Sequence, residues 1–399
     1  MKAFHLTAFE ETVATRASSM ENVTFFVGEP PIEFLRNRVE TIIRLNPFLA
    51  GRFYKPDIKD SKIELRVQCS EEGVLYDSVD LSAHFQVIRD IDFSPADGYV
   101  NVCGKISRIP NLVIPIAKVC LETNAPLFRV AVLLHSNKKQ FAVVTTLSHT
   151  IGDGFSFYSL YKMLSYNVQP YAMIFDRVDT KLAEREVFPD SSKDISKFAM
   201  PVFGSLISTI ASYIVAKIRI TVVSLYFCVW GMVNTPSINW INEQKAIAIK
   251  ESGYVSTNDC LAHWILTRAK CDYAALLVNQ RGRVPSLTTK HFGNYVSLLY
   301  LKREDFATPS LIRKALHGPI LQRAVTVTPF DGYMNFFCRI GTITNLSSFY
   351  EDIELEGCKR LLHWRTRNLQ QETSPFCSFN IFPESKGKLK VVSDFYHLF

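Results

Sequence analysis

The sequence lacks the features that mark secreted, fibrous or disordered proteins. Its nine cysteines are an odd number without a C-x-x-C pair, which favours free thiols in a reducing compartment over a disulfide framework. The opening residues MKAFHLTAFEETVATR lack the uninterrupted apolar run of a secretory signal, so we expect a cytoplasmic protein. With 47% hydrophobic and 21% charged residues, the chain has the composition of a folded globular protein.

The sequence also lacks a long basic block and paired metal ligands. Lys and Arg number 45 and Asp and Glu 38, which gives a formal charge of +7. A charge spread in this way favours small anionic molecules or a membrane surface over nucleic acid. No paired His or Cys stands at ligand spacing, so we predict no metal site. At 399 residues the chain has room for two or three compact units.

Apolar periodicity predicts an α/β protein. Apolar residues at helical spacing between Pro31 and Asn46 predict an amphipathic helix, and Ser256 is positioned to cap another. The apolar runs 128–135 and 141–147 flank a short polar turn, which predicts an antiparallel strand pair. Further strands are expected near 62–67, 272–279, 294–301, 374–382 and 388–395.

An almost wholly apolar segment, 201–233, stands between the two halves and is broken by Lys217 and Arg219. Neither flank reaches the ~18 uninterrupted apolar residues of a spanning helix. Three hypotheses stay open: a pair of buried helices, an interfacial membrane anchor, and a true membrane span.

The pattern H-x-x-x-D-G at His149–Gly154 carries the strongest chemical signal. It follows a predicted buried strand and precedes apolar residues at helical spacing, so it is expected to form a strand–turn–helix junction. A neutral imidazole there is suited to act as general base near pH 7. Asp153 is interpreted as structural, a buried carboxylate paired with an arginine. The alternative is a core histidine with a helix-capping aspartate.

These residues resemble the chloramphenicol-acetyltransferase-like acyltransferase superfamily, between BAHD acyltransferases and wax ester synthase/diacylglycerol acyltransferases. The D-F-G-W-G motif of BAHD enzymes is absent, and the apolar stretch 201–233 is similar to one in plant-type wax synthases. The supporting segments, in chain order, are 46–52 (NPFLAGR), 126–128 (PLF), 149–154 (HTIGDG), 256–259 (STND), 279–283 (NQRGR), 291–294 (HFGN) and 341–348 (GTITNLSS).

The resemblance implies two similar mixed-sheet subdomains with the active site in a channel between them. The expected boundaries are 1–170 for the N-terminal subdomain, 171–240 for the crossover and 241–399 for the C-terminal subdomain. The implied site residues are His149 as general base, Asp153 paired with Arg281 or less favourably Arg283, Thr344 or Asn345 as oxyanion donor, and Asn294 as a cofactor contact.

The function that this resemblance implies is acyl transfer from acyl-CoA, as co-substrate, to a lipophilic alcohol. No permanently bound cofactor and no acyl-enzyme are expected. Two alternatives stay open: a condensation-type enzyme that uses a carrier-protein-bound substrate, and a non-catalytic binder with the same fold. Peripheral contact with an intracellular membrane through 202–233 is also kept open.

The interfacial hypothesis for 202–233 predicts that the protein floats with liposomes, more with anionic than with neutral ones, because Lys217 and Arg219 would lie near the headgroups. Leu225→Asp should abolish flotation, and Leu225→Ala controls for loss of the side chain alone. Absence of flotation on either lipid, together with unfolding of Leu225→Asp, would instead show that the segment is buried in the protein.

Overall fold

A computed structural model describes residues 1–7, 9–57, 61–70, 74–75, 79–136, 140–178, 231–317, 321–325, 339–366, 377–385 and 388–393. Its strands are β1 Lys2–His5, β2 Ser19–Val27, β3 Arg52–Tyr54, β4 Glu64–Val67, β5 Phe85–Ile91, β6 Phe128–His135, β7 Gln140–Ser148, β8 Gly231–Val233, β9 Tyr273–Asn279, β10 Val296–Lys302, β11 Ile340–Asn345, β12 Lys359–Thr366, β13 Cys377–Ser385 and β14 Lys388–Ser393. Its α-helices are α1 Val13–Arg16, α2 Ile32–Leu45, α3 Leu81–His84, α4 Tyr99–Arg108, α5 Ala117–Thr123, α6 Gly154–Lys162, α7 Ile238–Ser252, α8 Thr257–Arg268 and α9 Pro309–Leu316. Short 3-10 helices cover Pro47–Ala50, Pro95–Asp97 and Arg303–Phe306.

Two large mixed sheets organise the chain, and the α/β prediction is confirmed. The first has the strand order β12-β2-β7-β6-β5, with β5 and β6 parallel and the other neighbours antiparallel. The second has the order β10-β9-β11-β13-β14-β8, with β11 parallel to both of its neighbours. A small antiparallel sheet, β1-β4-β3, completes the N-terminal half.

Local sequence signals account for several elements. The predicted antiparallel pair is β6 and β7, which is confirmed. The helix predicted after Pro31 is α2, and it ends where Asn46 Nδ2 bonds the Ile42 carbonyl at 3.0 Å. Helix α8 begins with the predicted cap, in which the Ser256 side chain accepts from the Asp259 backbone N–H.

Strand β12 crosses from the C-terminal half into the first sheet, where Trp364 lies opposite Val23 on β2. The expected boundary between 1–170 and 241–399 does not anticipate this exchange. A buried network fixes β12: His363 Nδ1 and Thr24 Oγ1 are 2.9 Å apart, and His363 Nε2 and Tyr158 Oη are 3.1 Å apart. Burial lowers the pKa of His363 well below its ordinary value, so a neutral imidazole serves both contacts.

The apolar segment 201–233, including the proposed membrane contact 202–233, lies outside the described residues except for its last three. Those three form β8, an edge strand paired with β14, so the helices considered for 201–233 do not include them. Among the described helices, none is both long and apolar enough to cross a membrane.

Candidate active site

The motif His149–Gly154 forms the turn between β7 and α6, as the sequence predicted. The His149 backbone N–H donates to the Ser18 carbonyl at 3.3 Å, which extends the pairing of β2 with β7 by one residue. Asp153 then caps α6, because its Oδ1 accepts the backbone N–H of Ser156 at 2.9 Å. The motif therefore stands at the carboxyl end of the middle strand of the first sheet.

Two glycines of the motif let the C-terminal half approach closely. A Cβ added to Gly152 would lie 3.0 Å from the Phe292 ring, and one added to Gly154 would overlap the Leu346 side chain. Larger residues at either position would push these contacts apart. Phe292 and Leu346 belong to the same buried cluster as the N-terminal core, so the motif lies where the two halves pack together.

Asp153 pairs with Arg281 in the interior. The Arg281 Nη1 to Asp153 Oδ2 distance is 2.7 Å, and the two side chains are 0% and 2% exposed. Oδ2 also accepts the backbone N–H of Tyr295 at 3.0 Å. Burial by itself would raise the pKa of Asp153, but Arg281 and the hydrogen bonds from Ser156 and Tyr295 outweigh it, so this pKa lies below its ordinary value. Both carboxylate oxygens of Asp153 therefore accept hydrogen bonds from other parts of the protein.

Arg281 extends the ion pair to the segment 291–294. Its Nε donates to the His291 carbonyl at 2.8 Å, and its Nη2 donates to the Gly293 carbonyl at 2.9 Å and to Ser156 Oγ at 3.1 Å. The other arginine considered from the sequence, Arg283, donates instead to the Leu316 carbonyl at 3.2 Å. Arg281 is thus the partner of Asp153.

His149 combines partial exposure with one enclosed ring nitrogen. Its Nδ1 is buried and has no hydrogen-bond partner within the described part of the chain. Burial lowers the pKa of His149 and the charge of Arg365 adds to this, while its own carbonyl, Asp153 and Asn294 oppose it. The imidazole is therefore neutral at physiological pH, the state that a general base requires.

Asn294 contacts the motif through its side-chain amide, which donates hydrogen bonds to the motif backbone. Its Nδ2 donates to the His149 carbonyl at 2.8 Å and to the Thr150 carbonyl at 3.3 Å. The residue is 5% exposed. The sequence interpretation made Asn294 a cofactor contact, whereas its amide nitrogen faces the histidine loop.

Thr344 and Asn345 end β11, and both are partly buried. Asn345 Oδ1 accepts from the backbone N–H and the hydroxyl of Ser347, at 2.9 and 2.7 Å, so its oxygen is used by the local turn. The next residue, Leu346, is the one that contacts Gly154. The end of β11 thus reaches the first turn of α6.

Sequence reasoning missed two residues beside the motif, Glu10 and Arg177. Arg177 Nη2 lies 2.9 Å from Glu10 Oε1 and also donates to the Ile151 carbonyl at 3.2 Å. Glu10 is fully buried. Neither residue belongs to a recognisable pattern, so no local signal could have found them.

Cys260 is a buried thiol in α8. Burial raises the pKa of Cys260 to about 11, so its thiol is protonated at neutral pH. No group of three His, Cys, Asp or Glu side chains in the described ranges is arranged to hold a metal ion.

Comparison with known proteins rests on structure. No protein-family model and no curated protein matches the sequence. The first condensation domain of the calcium-dependent antibiotic synthetase, in complex with a substrate analogue, superposes with a TM-score of 0.61 at 12% identity, over 98% of this chain and 90% of that chain.

Two further solved structures come from fungal and bacterial proteins. TRI101 of F. sporotrichioides, complexed with coenzyme A and T-2, gives a TM-score of 0.58 at 12% identity over 100% of this chain and 97% of that chain. Polyketide synthase associated protein 5 of Mycobacterium tuberculosis gives 0.57 at 14% identity over 98% and 92%. Likeness at these identities establishes a common fold.

The geometry predicts that Asp153→Asn lowers stability and activity together. Removing one charge of a buried pair leaves Arg281 uncompensated, at a cost of about 3 to 5 kcal/mol in the free energy of unfolding. Denaturant unfolding measures this cost. Asp352→Asn is the matched control, because Asp352 pairs with Arg360 at 2.9 Å near the surface and should cost no more than about 1 kcal/mol.

The same prediction has a pH signature. Because the folded-state pKa of Asp153 is depressed, its contribution to stability is fully present above the ordinary carboxyl pKa of about 4 and is lost as pH falls through the folded-state value. The stability gap between wild type and Asp153→Asn should therefore close in acid. Unchanged stability with complete loss of activity would mean that Asp153 takes part in the chemistry.

Proposed function

We propose, from the chloramphenicol-acetyltransferase-like fold that the chain adopts, that it transfers an acyl group from acyl-CoA to a lipophilic alcohol. The observation that carries the proposal is a neutral, partly exposed His149 on a turn that the buried Asp153–Arg281 pair holds rigid. TRI101, a protein of this fold, is known in complex with coenzyme A.

His149 acts as the general base through Nε2. Nδ1 is enclosed and has no hydrogen-bond partner in the described ranges, whereas the His149 side chain as a whole is partly exposed, so Nε2 is the ring nitrogen that we assign to the acceptor hydroxyl. Nε2 takes the proton of the acceptor hydroxyl while the oxygen attacks the thioester carbonyl. When the tetrahedral intermediate collapses, the C–S bond breaks and the same proton passes to the CoA thiolate. Proton handling of this kind contributes about 10² to 10⁴-fold to the rate.

The tetrahedral oxyanion needs a hydrogen-bond donor. Thr344 supplies a hydroxyl at the end of β11. Asn345 would supply its amide nitrogen, because an amide oxygen only accepts hydrogen bonds, and the bonds from Ser347 to that oxygen fix the orientation of the amide. The contact of Leu346 with Gly154 supports a donor in this position, because it joins the end of β11 to the histidine turn.

A condensation-type reaction, in which the acyl group arrives on a carrier protein, is the second candidate. The superposition on a condensation domain of an antibiotic synthetase favours it. The same general base and the same hydrogen-bond donor to the oxyanion would serve both reactions. The identity of the acyl donor therefore decides between them. A chain that transfers from free acyl-CoA supports the first candidate, and one that transfers only from a carrier-bound thioester supports the second.

Replacing the base tests the mechanism. His149→Ala should fold normally, since Nδ1 makes no hydrogen bond within the described part of the chain, and should lower kcat by at least ~10²-fold. Turnover is measured as thiol release from acyl-CoA in the presence of an alcohol, and circular dichroism checks the fold. A folded variant with near-normal turnover would exclude His149 as the base.

The pH dependence provides an independent test. Because burial lowers the pKa of His149, kcat/KM should rise with pH along an acidic limb whose midpoint lies below about 6.5, the ordinary histidine value, and should be flat near neutrality. A limb centred above the ordinary value would contradict a base in this environment. The limb should be absent from the residual activity of His149→Ala.

A further inference from the structure

A second buried ion pair, between Glu10 and Arg177, also contacts the motif. Glu10 is 0% and Arg177 10% exposed at the side chain. Two contacts join them: Arg177 Nη2 to Glu10 Oε1 at 2.9 Å, and Nε to Oε2 at 3.0 Å. Such bidentate pairing fixes the plane of both groups.

Arg177 connects this pair to the two segments that Asp153 and Arg281 also join. Its Nη2 donates to the Ile151 carbonyl inside the motif at 3.2 Å, and its Nη1 donates to the Phe292 carbonyl at 2.8 Å. Arg281 bonds the carbonyls on either side of Phe292. Three successive carbonyls, 291 to 293, are therefore held by two arginines.

Glu10 connects the pair to the histidine through Asn294. Glu10 Oε1 accepts the Asn294 backbone N–H at 3.3 Å, and Asn294 Nδ2 donates to the His149 carbonyl at 2.8 Å. The chain of contacts from Arg177 to Glu10 to Asn294 thus ends on the proposed base.

Two buried atoms at the end of this chain are left without a partner. They are Asn294 Oδ1, an acceptor, and His149 Nδ1, which carries a proton in one tautomer of the neutral ring. The two residues already touch through the amide nitrogen of Asn294. One atom can accept and the other can donate, and the Asn294 side chain raises the pKa of His149, as does the carbonyl of His149 itself, which is the effect of an acceptor beside the ring.

We propose that Glu10 and Arg177 are positioning residues that hold Asn294 against His149, and that Asn294 Oδ1 accepts Nδ1–H and leaves the Nε2 lone pair free to take a proton. This inference rests on the proposed function, because it gives His149 the role of base. It assigns Asn294 to the orientation of the base and not to cofactor binding.

Stability alone does not explain the pair. Burial raises the pKa of Glu10 despite the opposing effect of Arg177, so holding this carboxylate ionised is costly. Buried ion pairs often contribute no more stability than apolar residues of the same volume. The directed hydrogen bonds to Ile151, Phe292 and Asn294 are what an apolar pair could not provide.

The test combines kinetics with histidine NMR on Asn294→Ala and Glu10→Gln. ¹⁵N shifts of labelled histidine report the tautomer of His149, and the spectrum of His149→Ala assigns its signals. Wild type should show the Nδ1–H tautomer, and both variants should show a mixture. We expect kcat to fall by about ten- to hundredfold, as for a misplaced catalytic group, with the KM for acyl-CoA changed less than about twofold.

Asp259→Asn is the matched control. Asp259 is fully buried, pairs with Arg313 at 2.5 Å and lies in the first turn of α8, within the C-terminal core. It should lose stability while the kcat of the folded protein and the His149 tautomer stay as in wild type. If Glu10→Gln does not fold, Arg177→Lys replaces it, since lysine keeps the charge and loses the bidentate geometry.

The outcomes separate the two proposals. Unchanged kcat and an unchanged tautomer in folded Asn294→Ala and Glu10→Gln would overturn the positioning role and leave the proposed function intact. If wild type transfers no acyl group but the tautomer still shifts in the variants, the positioning role stands and the proposed function fails. Equal loss of kcat in Asp259→Asn would also overturn the positioning role, because a merely structural effect would then explain it.

Discussion

The buried ion pair between Asp153 and Arg281 connects positions 128 residues apart and is the constraint on which the rest of the site depends. It fixes the first turn of α6 against the segment 291–294. An isolated buried pair would lose more free energy by desolvation than it gains by attraction. The backbone N–H groups of Ser156 and Tyr295 offset this loss, because they donate to the remaining lone pairs of Asp153. Because β7 leads directly into this turn, the position of His149 follows from the same contacts.

The strand pairing in the first sheet brings together the two halves of the chain that carry Asp153 and Arg281. Strand β12 comes from the C-terminal half but pairs with β2 in the first sheet, so the two halves share backbone hydrogen bonds as well as side-chain contacts. Gly152 and Gly154 then allow Phe292 and Leu346 to pack on the motif. A turn held by contacts from both halves is a rigid position for the general base that we propose, and rigidity of this kind positions reacting groups.

The sequence allowed the local parts of this arrangement to be predicted. The strand–turn–helix junction at His149 and the β6–β7 pair both depend on neighbouring residues. The cap by Asp153 was the alternative to its ion pair, and the structure contains both contacts. Strand β2 was missed although it is rich in β-branched and aromatic residues, and the exchange of β12 has no local signal at all.

It was easier to predict that a residue belongs to the site than to predict which atoms it contacts there. Asn294 was singled out from its motif, but its contact is the His149 carbonyl, 145 positions away, which spacing alone does not reveal. Glu10 and Arg177 are 167 positions apart and belong to no pattern, so only the folded chain brings them together. Apart from the Asp153–Arg281 pair, which the resemblance implied, long-range polar contacts are therefore the part of the site that the sequence leaves open.

We propose direct acyl transfer from CoA to an alcohol, with both substrates bound together and no acyl-enzyme. The most direct measurement is the ratio of ester formed to thiol released, across a panel of acyl-CoAs and alcohols, with a parallel reaction that omits the alcohol. Direct transfer predicts one ester per thiol and thiol release that requires the alcohol. A stoichiometric burst of thiol without alcohol would show an acyl-enzyme, and no thiol release from any acyl-CoA would contradict CoA as the donor.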